Sequence, residues 1–167
     1  MSDTVIALRE DCILAAEGKP GARPKITDVR RIDVEGYGDP LEQWKQALIK
    51  YKQECRPDKV KLILPTTYSS ARITQVPYAG GRELAKMAAN VMQEAAGNDI
   101  ADYGIVQSDK KKGISVCTAA AEAGTLEEIL GICKETGLNV EAVTVPMEGY
   151  LKGLSAIKAY EKTTAVF

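Results

Sequence analysis

Histidine is missing from all 167 residues of this chain. Its absence rules out Ser-His-Asp and Cys-His catalysis and any imidazole metal ligand. Cys12, Cys55, Cys117 and Cys133 include no Cys-x-x-Cys pair, so the paired knuckles of a structural zinc site are lacking too. Each cysteine sits in an apolar stretch, and the start Ser2-Asp3-Thr4 has no secretory pattern; all four are expected to be buried, reduced thiols. No apolar run approaches a membrane span. No charge of one sign dominates: the net charge is −1 with acids and bases mixed, which argues against nucleic acid as the main partner. Neither Gly-x-Gly-x-x-Gly after a strand nor Gly-x-x-x-x-Gly-Lys-Ser/Thr occurs, so the familiar phosphate loops are absent.

What remains is ordinary globular material, 45% hydrophobic and 27% charged, enough for one domain or two small lobes around a core. TVIALREDCILAAEG places two apolar runs, Val5 to Leu8 and Cys12 to Ala16, around the charged tip Arg9-Glu10-Asp11, and reads as a β-hairpin. The Gly/Pro cluster GKPGARPK then leads to ITDVRRIDVEG, a third strand through Ile26, Val29, Ile32 and Val34. Asp39, Pro40 and Glu42 form a helix start, and Leu41, Trp44, Leu48, Tyr51 and Cys55 make one apolar stripe. Arg56-Pro57-Asp58 ends that helix and Val60 to Leu64 forms a strand. Strand, strand, strand, helix, strand is a hairpin meander with a helical crossover to a parallel strand.

Beyond Pro65 the pattern gives a strand over Ser70 to Pro77 and a helix after Gly80-Gly81 with Leu84, Met87, Ala88, Val91 and Ala95 inward. Strands follow over Asp102 to Gln107 and Ile114 to Ala121. The next helix is capped by Thr125, with Glu128 in the capping-box position, and Ile129, Leu130, Ile132 and Cys133 face inward. Gly137 stops it, Asn139 to Pro146 forms a strand, and a fourth helix is expected from about Glu148 to Glu161 through Tyr150, Leu151, Leu154 and Ile157. This order fits a ferredoxin-like or related split α/β sandwich. Thr163 to Phe167 looks like the first half of a buried strand, so further chain is expected after it.

The hairpin tip is the first candidate site, since Glu10 and Asp11 could hold a metal or act as a base; a polar turn is the plainer reading. As a phosphate cradle it is unsuitable: like charges ~4 Å apart cost about 4 kcal/mol at an effective dielectric of roughly 20. Ala79-Gly80-Gly81-Arg82 before a helix offers an anion site or simply a loop, and Lys110-Lys111-Lys112 a basic contact or a solvated turn. Thr66 to Ser70, with Tyr68, Arg72 and Tyr78, offers hydroxyls and aromatics where the two portions join; it reads as an edge-strand peptide site or a polar connector.

The segment LILPTTYSSARITQVPY, a helix, then ADYGIVQ, GISVCTAAAEAGTLEEILGICKETGLNVEAVTVP and a further helix resembles the N-terminal half of PilM-type pilus proteins. With GspL-type secretion proteins these form a branch of the actin-like ATPase fold. Leu64-Pro65, the run from Arg72 to Pro77, and Thr136-Gly137-Leu138-Asn139-Val140 carry the resemblance, which spans nearly the whole chain by element order. It implies an α/β (α+β) fold. Residues 1–65 would be the first half of an actin-like (ribonuclease H-like) lobe, and 66–146 an inserted ferredoxin-like or SHS2 subdomain. Residues 147–167 would be a helix and strand returning to the lobe. PilM-like proteins carry an Asp-Ile-Gly-Ser-Ser type phosphate loop in the first hairpin; Ala7-Leu8-Arg9-Glu10-Asp11 stands there instead, closer to nucleotide-free GspL-like members.

The resemblance implies a cytoplasmic scaffold at the inner face of the membrane, part of a type IV pilus or type II secretion-like platform. Its partner would be the cytoplasmic segment of a PilN-like inner-membrane protein, met through Tyr68, Arg72 and Tyr78. It also allows contact with the assembly ATPase and pairing with a second copy. No catalytic, cofactor-binding or metal-ligating residue is assigned, and no enzyme activity is expected. Two other readings stay open: an actin-like ATPase or sugar-kinase-like enzyme whose nucleotide site is completed beyond residue 167, and a small-molecule regulatory module.

Overall fold

Alternation along the first strand decides the first sheet. In β1 (Asp3–Leu8), Thr4, Ile6 and Leu8 are buried while Val5 and Ala7 on the other face are half-buried. The computed structural model, which describes residues 3–19, 21, 25–34, 38–57, 59–96 and 99–147, continues with β2 (Cys12–Lys19), β3 (Lys25–Asp33), α1 (Pro40–Cys55) and β4 (Val60–Ile63). After these come β5 (Ser69–Val76), α2 (Gly81–Ala96), β6 (Ile100–Asp109), β7 (Gly113–Ala121), α3 (Ala123–Glu135) and β8 (Val140–Thr144). The described residues divide into two compact units, 3–68 with 122–144, and 69–121 with 145–147.

The first unit is a five-stranded sheet in the order β3-β2-β1-β4-β8. β1 pairs antiparallel with β2, setting Ile6 opposite Ala15 and Leu8 opposite Ile13, and parallel with β4, setting Ile6 beside Leu62. β2 pairs antiparallel with β3, and β4 pairs parallel with β8. The buried alternate residues meet α1, which buries Trp44, Ala47, Leu48 and Tyr51, and α3, which buries Ile129 and Cys133; the two helices touch each other on this face. Each such Leu or Ile stabilises the fold by about 1.5–3 kcal/mol relative to exposure. The opposite face, with Val5, Ala7, Leu14, Ala16 and Ile63, is only half-buried.

The helix ends follow the sequence signals in α1. Asp39 Oδ1 accepts from the Leu41 N–H at 3.0 Å with Pro40 first in the helix, and Arg56 closes it in the left-handed region at φ 49°. In α3 the start lies earlier than expected. Glu122, not Thr125, is the N-cap residue, and the Thr125 hydroxyl donates to Glu122 Oε2 at 2.8 Å. Ala121 already closes β7, so the helix begins directly after Glu122 and the hydroxyl is used inside the first turn. Its end is as expected: Gly137 has φ 75°, and the N–H of Leu138 reaches the Cys133 carbonyl at 2.8 Å while that of Gly137 reaches Lys134 at 3.0 Å.

The second unit is an antiparallel sheet in the order β5-β7-β6 with α2 on one face. Val76, Leu84, Ala88, Ile114 and Val116 form its core, with Met87, Val91 and Tyr103 against them. Ser69, which opens β5, and Ala121, which closes β7, are register partners. Among the described residues, 69–121 form a strand-helix-strand-strand unit. α3 and β8, which the sequence places within 66–146, lie with the first sheet, because β8 pairs with β4 and α3 packs on α1. The expected fourth helix over Glu148 to Glu161 and the closing strand over Thr163 to Phe167 lie outside the described residues.

All four cysteines are free thiols, but only Cys12 and Cys133 are buried; Cys55 and Cys117 are half-buried. Burial pushes the Cys133 thiol up to about 11. Thiol labelling of the native protein at pH 8 is expected to modify Cys55 and Cys117 well before Cys12 and Cys133, followed by peptide mapping. Gly113, at φ 94°, has no room for a side chain: an added Cβ would stand 2.4 Å from the Val76 carbonyl oxygen, whereas at Gly137 the nearest atom is 4.0 Å away. Gly137→Ala is expected to cost about 1–2 kcal/mol of left-handed strain, and Gly113→Ala distinctly more, compared by denaturant midpoints.

Candidate functional site

Ligands of open α/β sheets gather outside the carboxyl ends of the parallel strands. In the first unit those ends are Leu8, Ile63 and Thr144, and the Leu64 N–H is held by the Thr144 carbonyl at 2.9 Å. The β1–β2 turn, Arg9-Glu10-Asp11, stands at this end, with residues 64–68 following β4. Strand pairing forces the turn to be tight, because Leu8 opposes Ile13 and the Arg9 N–H donates to the Cys12 carbonyl at 3.0 Å.

Each part of the turn has its own partner. Arg31 forks between two carboxylates, its Nη2 donating to Asp11 Oδ2 at 2.9 Å and its Nε to Asp33 Oδ1 at 2.6 Å. The β2–β3 register puts Asp33 opposite Cys12 and Arg31 opposite Leu14, so the guanidinium reaches the turn from the neighbouring strand. Thr67 Oγ1 donates to Glu10 Oε1 at 3.0 Å. The Trp44 indole N–H donates to the Arg9 carbonyl at 2.8 Å, and its ring meets Tyr68 edge-on, centroids 5.9 Å apart. The Val34 N–H reaches the Asp11 carbonyl at 3.0 Å.

The Arg31 hydrogen bond holds the Asp11 carboxyl below its ordinary value of 3.8, with a smaller contribution from the Cys12 thiol. The Cys12 thiol is pushed up, first by burial and then by Asp11. Glu10 and Asp11 are therefore engaged separately and do not converge. Among the described residues no group of three or more Cys, Asp or Glu is placed to hold a metal ion. A phosphate here would meet two carboxylates and a turn whose Arg9 amide is already committed.

The three residues expected at a partner site fall in different units. Tyr68 belongs to the first, half-buried against Trp44. Arg72 lies in β5, exposed, its carbonyl accepting from Thr118 Oγ1 at 3.3 Å; Tyr78, beyond the end of β5, is 48% exposed. β5 is an edge strand of its sheet, with β7 on one side. The Lys110 to Lys112 loop is a shaped turn, Asp109 Oδ1 accepting from the N–H groups of Lys111 at 2.7 Å and Lys112 at 3.1 Å. At Gly80 the carbonyl accepts from Glu83 and Leu84, both at 3.0 Å, a plain helix start. Arg31 and Trp44 were not expected at the tip. Trp44 read as core stripe, and Arg31 becomes visible only once the β2–β3 register is known.

No family model matches the chain, and no curated protein matches it. Solved structures do. A chain of a PilM–PilN type IV pilus biogenesis complex superposes with a TM-score of 0.69 at 16% identity, over 94% of this chain and 50% of that one. The cytoplasmic domain of EpsL, an inner membrane component of the type II secretion system of Vibrio cholerae, superposes with a TM-score of 0.55 at 12% identity, over 86% of this chain and 57% of that one. The chain thus spans about half the length of the structures it matches, and at these identities the likeness is one of fold. The likeness agrees with the expected α/β fold shared with the PilM–PilN chain and the EpsL domain.

Two changes test the tip. Arg31→Ala is expected to return the Asp11 carboxyl towards 3.8 in a carbon-13 NMR titration. Because a depressed carboxylate stabilises above its unfolded value and loses that contribution as pH falls through the folded value, the wild type should lose stability relative to Arg31→Ala only below about pH 4. Trp44→Phe keeps the ring but removes the donor to Arg9, and is expected to cost about 1–2 kcal/mol in urea unfolding.

Proposed function

We propose that this chain is part of a cytoplasmic scaffold in a type IV pilus or type II secretion-like assembly platform, peripheral at the inner face of the membrane. Its task in this reading is to hold the cytoplasmic segment of an inner-membrane partner of the PilN kind, by contact and without nucleotide turnover. The observation that carries the absence of turnover is the closed hairpin tip: Arg31, Thr67 and Trp44 each hold one part of it, and its two carboxylates oppose a phosphate. Support for the partner comes from the likeness to a chain solved in a PilM–PilN complex. Among the described residues no helix is long and apolar enough to cross a membrane, which agrees with a role that reaches the membrane through another protein.

The outer edge of β5 suits a peptide added as a further strand, with main-chain hydrogen bonds giving affinity and Arg72 and Tyr78 alongside giving selectivity. Fluorescence anisotropy with labelled N-terminal cytoplasmic peptides of single-span pilus and secretion proteins is expected to show saturable binding. Arg72→Glu and Tyr78→Ala should weaken it about tenfold each, near 1.4 kcal/mol. No binding across the peptide set sinks the scaffold reading. Saturating magnesium-ATP should leave the melting temperature unchanged; a stabilisation of a few kcal/mol would favour the ATPase reading instead.

A further inference from the structure

The outer edge of β3 carries a sequence that complements itself. β3 stands first in the order β3-β2-β1-β4-β8, so among the described residues β2 is its one neighbour in the sheet. Edge strands are commonly short or blunted, but this one is nine residues long and leaves Val29 62% and Ile26 66% exposed. The direction of its main-chain groups follows from one bond. The Val34 N–H reaches the Asp11 carbonyl at 3.0 Å, and groups facing the partner alternate with groups facing away along an antiparallel ladder. Ile32 and Arg30 therefore bond towards β2, while the N–H and C=O groups of Val29, Arg31 and Asp33 point outward.

We propose that β3 pairs antiparallel with β3 of a second copy of this chain about a two-fold axis at Val29, joining the two sheets into one. In KITDVRRID this register sets Val29 against itself, Asp28 opposite Arg30, Ile26 opposite Ile32 and Lys25 opposite Asp33 of the second copy. Opposed residues share a face, so acid meets base and Ile meets Ile. The neighbouring registers fail. An axis one residue earlier opposes Asp28 to itself and Lys25 to Arg31; one residue later, Arg30 meets itself and within β3 no acid faces a base. Half-residue shifts set outward groups against inward ones and leave main-chain donors unpaired. Along each strand Arg30 Nε already donates to Asp28 Oδ2 at 2.7 Å, so the four side chains of the two copies close into a ring of alternating charge. The β2–β3 register shifts beside Glu17 and Gly18, where Thr27 is the extra residue between Asp28 and Ile26. Such a bulge confines regular pairing to about five residues centred on Val29, so the association is weak and reversible. β3 and the β5 edge belong to different units, and the pairing does not depend on the scaffold reading.

The test is sedimentation equilibrium of the full chain, with circular dichroism melting of every variant. The wild type is expected to dimerise reversibly below about 1 mM. Val29→Pro removes an outward N–H and no bond to β2, which an edge strand tolerates; it should weaken the dimer at least tenfold with the fold kept. Asp28→Arg and Arg30→Asp, each alone, should weaken it as much, since each sets like charges against one another. Mixed one to one, these two chains oppose Arg to Asp at both positions and should recover a heterodimer about as tight as the wild-type pair. Lys50→Glu, on the exposed side of α1, should leave dimerisation unchanged. If Val29→Pro does not fold, the mixing experiment decides alone. A chain still monomeric at about 1 mM leaves this edge to another protein or to later residues of the same chain, and overturns the proposal. So do a dimer indifferent to the β3 changes and single variants that fail to recover on mixing.

Discussion

Ile6 is the point through which the first unit is organised. It is fully buried in the central strand, opposite Ala15 in an antiparallel partner and beside Leu62 in a parallel one. Because side chains alternate with a period of two, fixing Ile6 inward fixes Leu8, Ile13 and Leu62 inward and sends Val5, Ala7 and Leu14 to the other face. A slip of one residue would exchange the two sets. The helices that cover the sheet, the end at which the hairpin turn stands, and the reach of Arg31 to Asp11 all follow from that register.

Local signals in the sequence were strong wherever they were covalent or periodic. Asp39-Pro40 at the start of α1 and Gly137 after α3 act as written, because caps depend on a few neighbouring atoms. The strand-helix-strand order was equally readable. What could not be read was which strand pairs with which at long range: the pairing of β8 with β4 moved α3 and β8 out of the expected second portion into the first sheet. The tip shows the same division. Its charge was plain in Arg9-Glu10-Asp11, whereas the contributions of Arg31, Thr67 and Trp44 arise from residues 20, 57 and 35 positions from their partners.

The turn between β1 and β2 is polar and its side chains are engaged by neighbours. Asp11 pairs with Arg31, Glu10 accepts from the Thr67 hydroxyl, and the Trp44 indole is spent on the Arg9 carbonyl. Exposed ion pairs of this sort add little to stability. Their effect is geometric, since each one specifies where a side chain of the turn stands.

The pairing of Ser69 with Ala121 has a consequence for how the chain is put together. The segment between them leaves and re-enters at adjacent points of one ladder, where opposed residues stand about 4.5–5.5 Å apart. To the first sheet the whole excursion therefore behaves as a short stitch, and the entropy of closing it is small once that ladder has formed. Such a junction is a natural splice point: a different module, or a bare two-residue bend, could be threaded there with the surrounding sheet left in register.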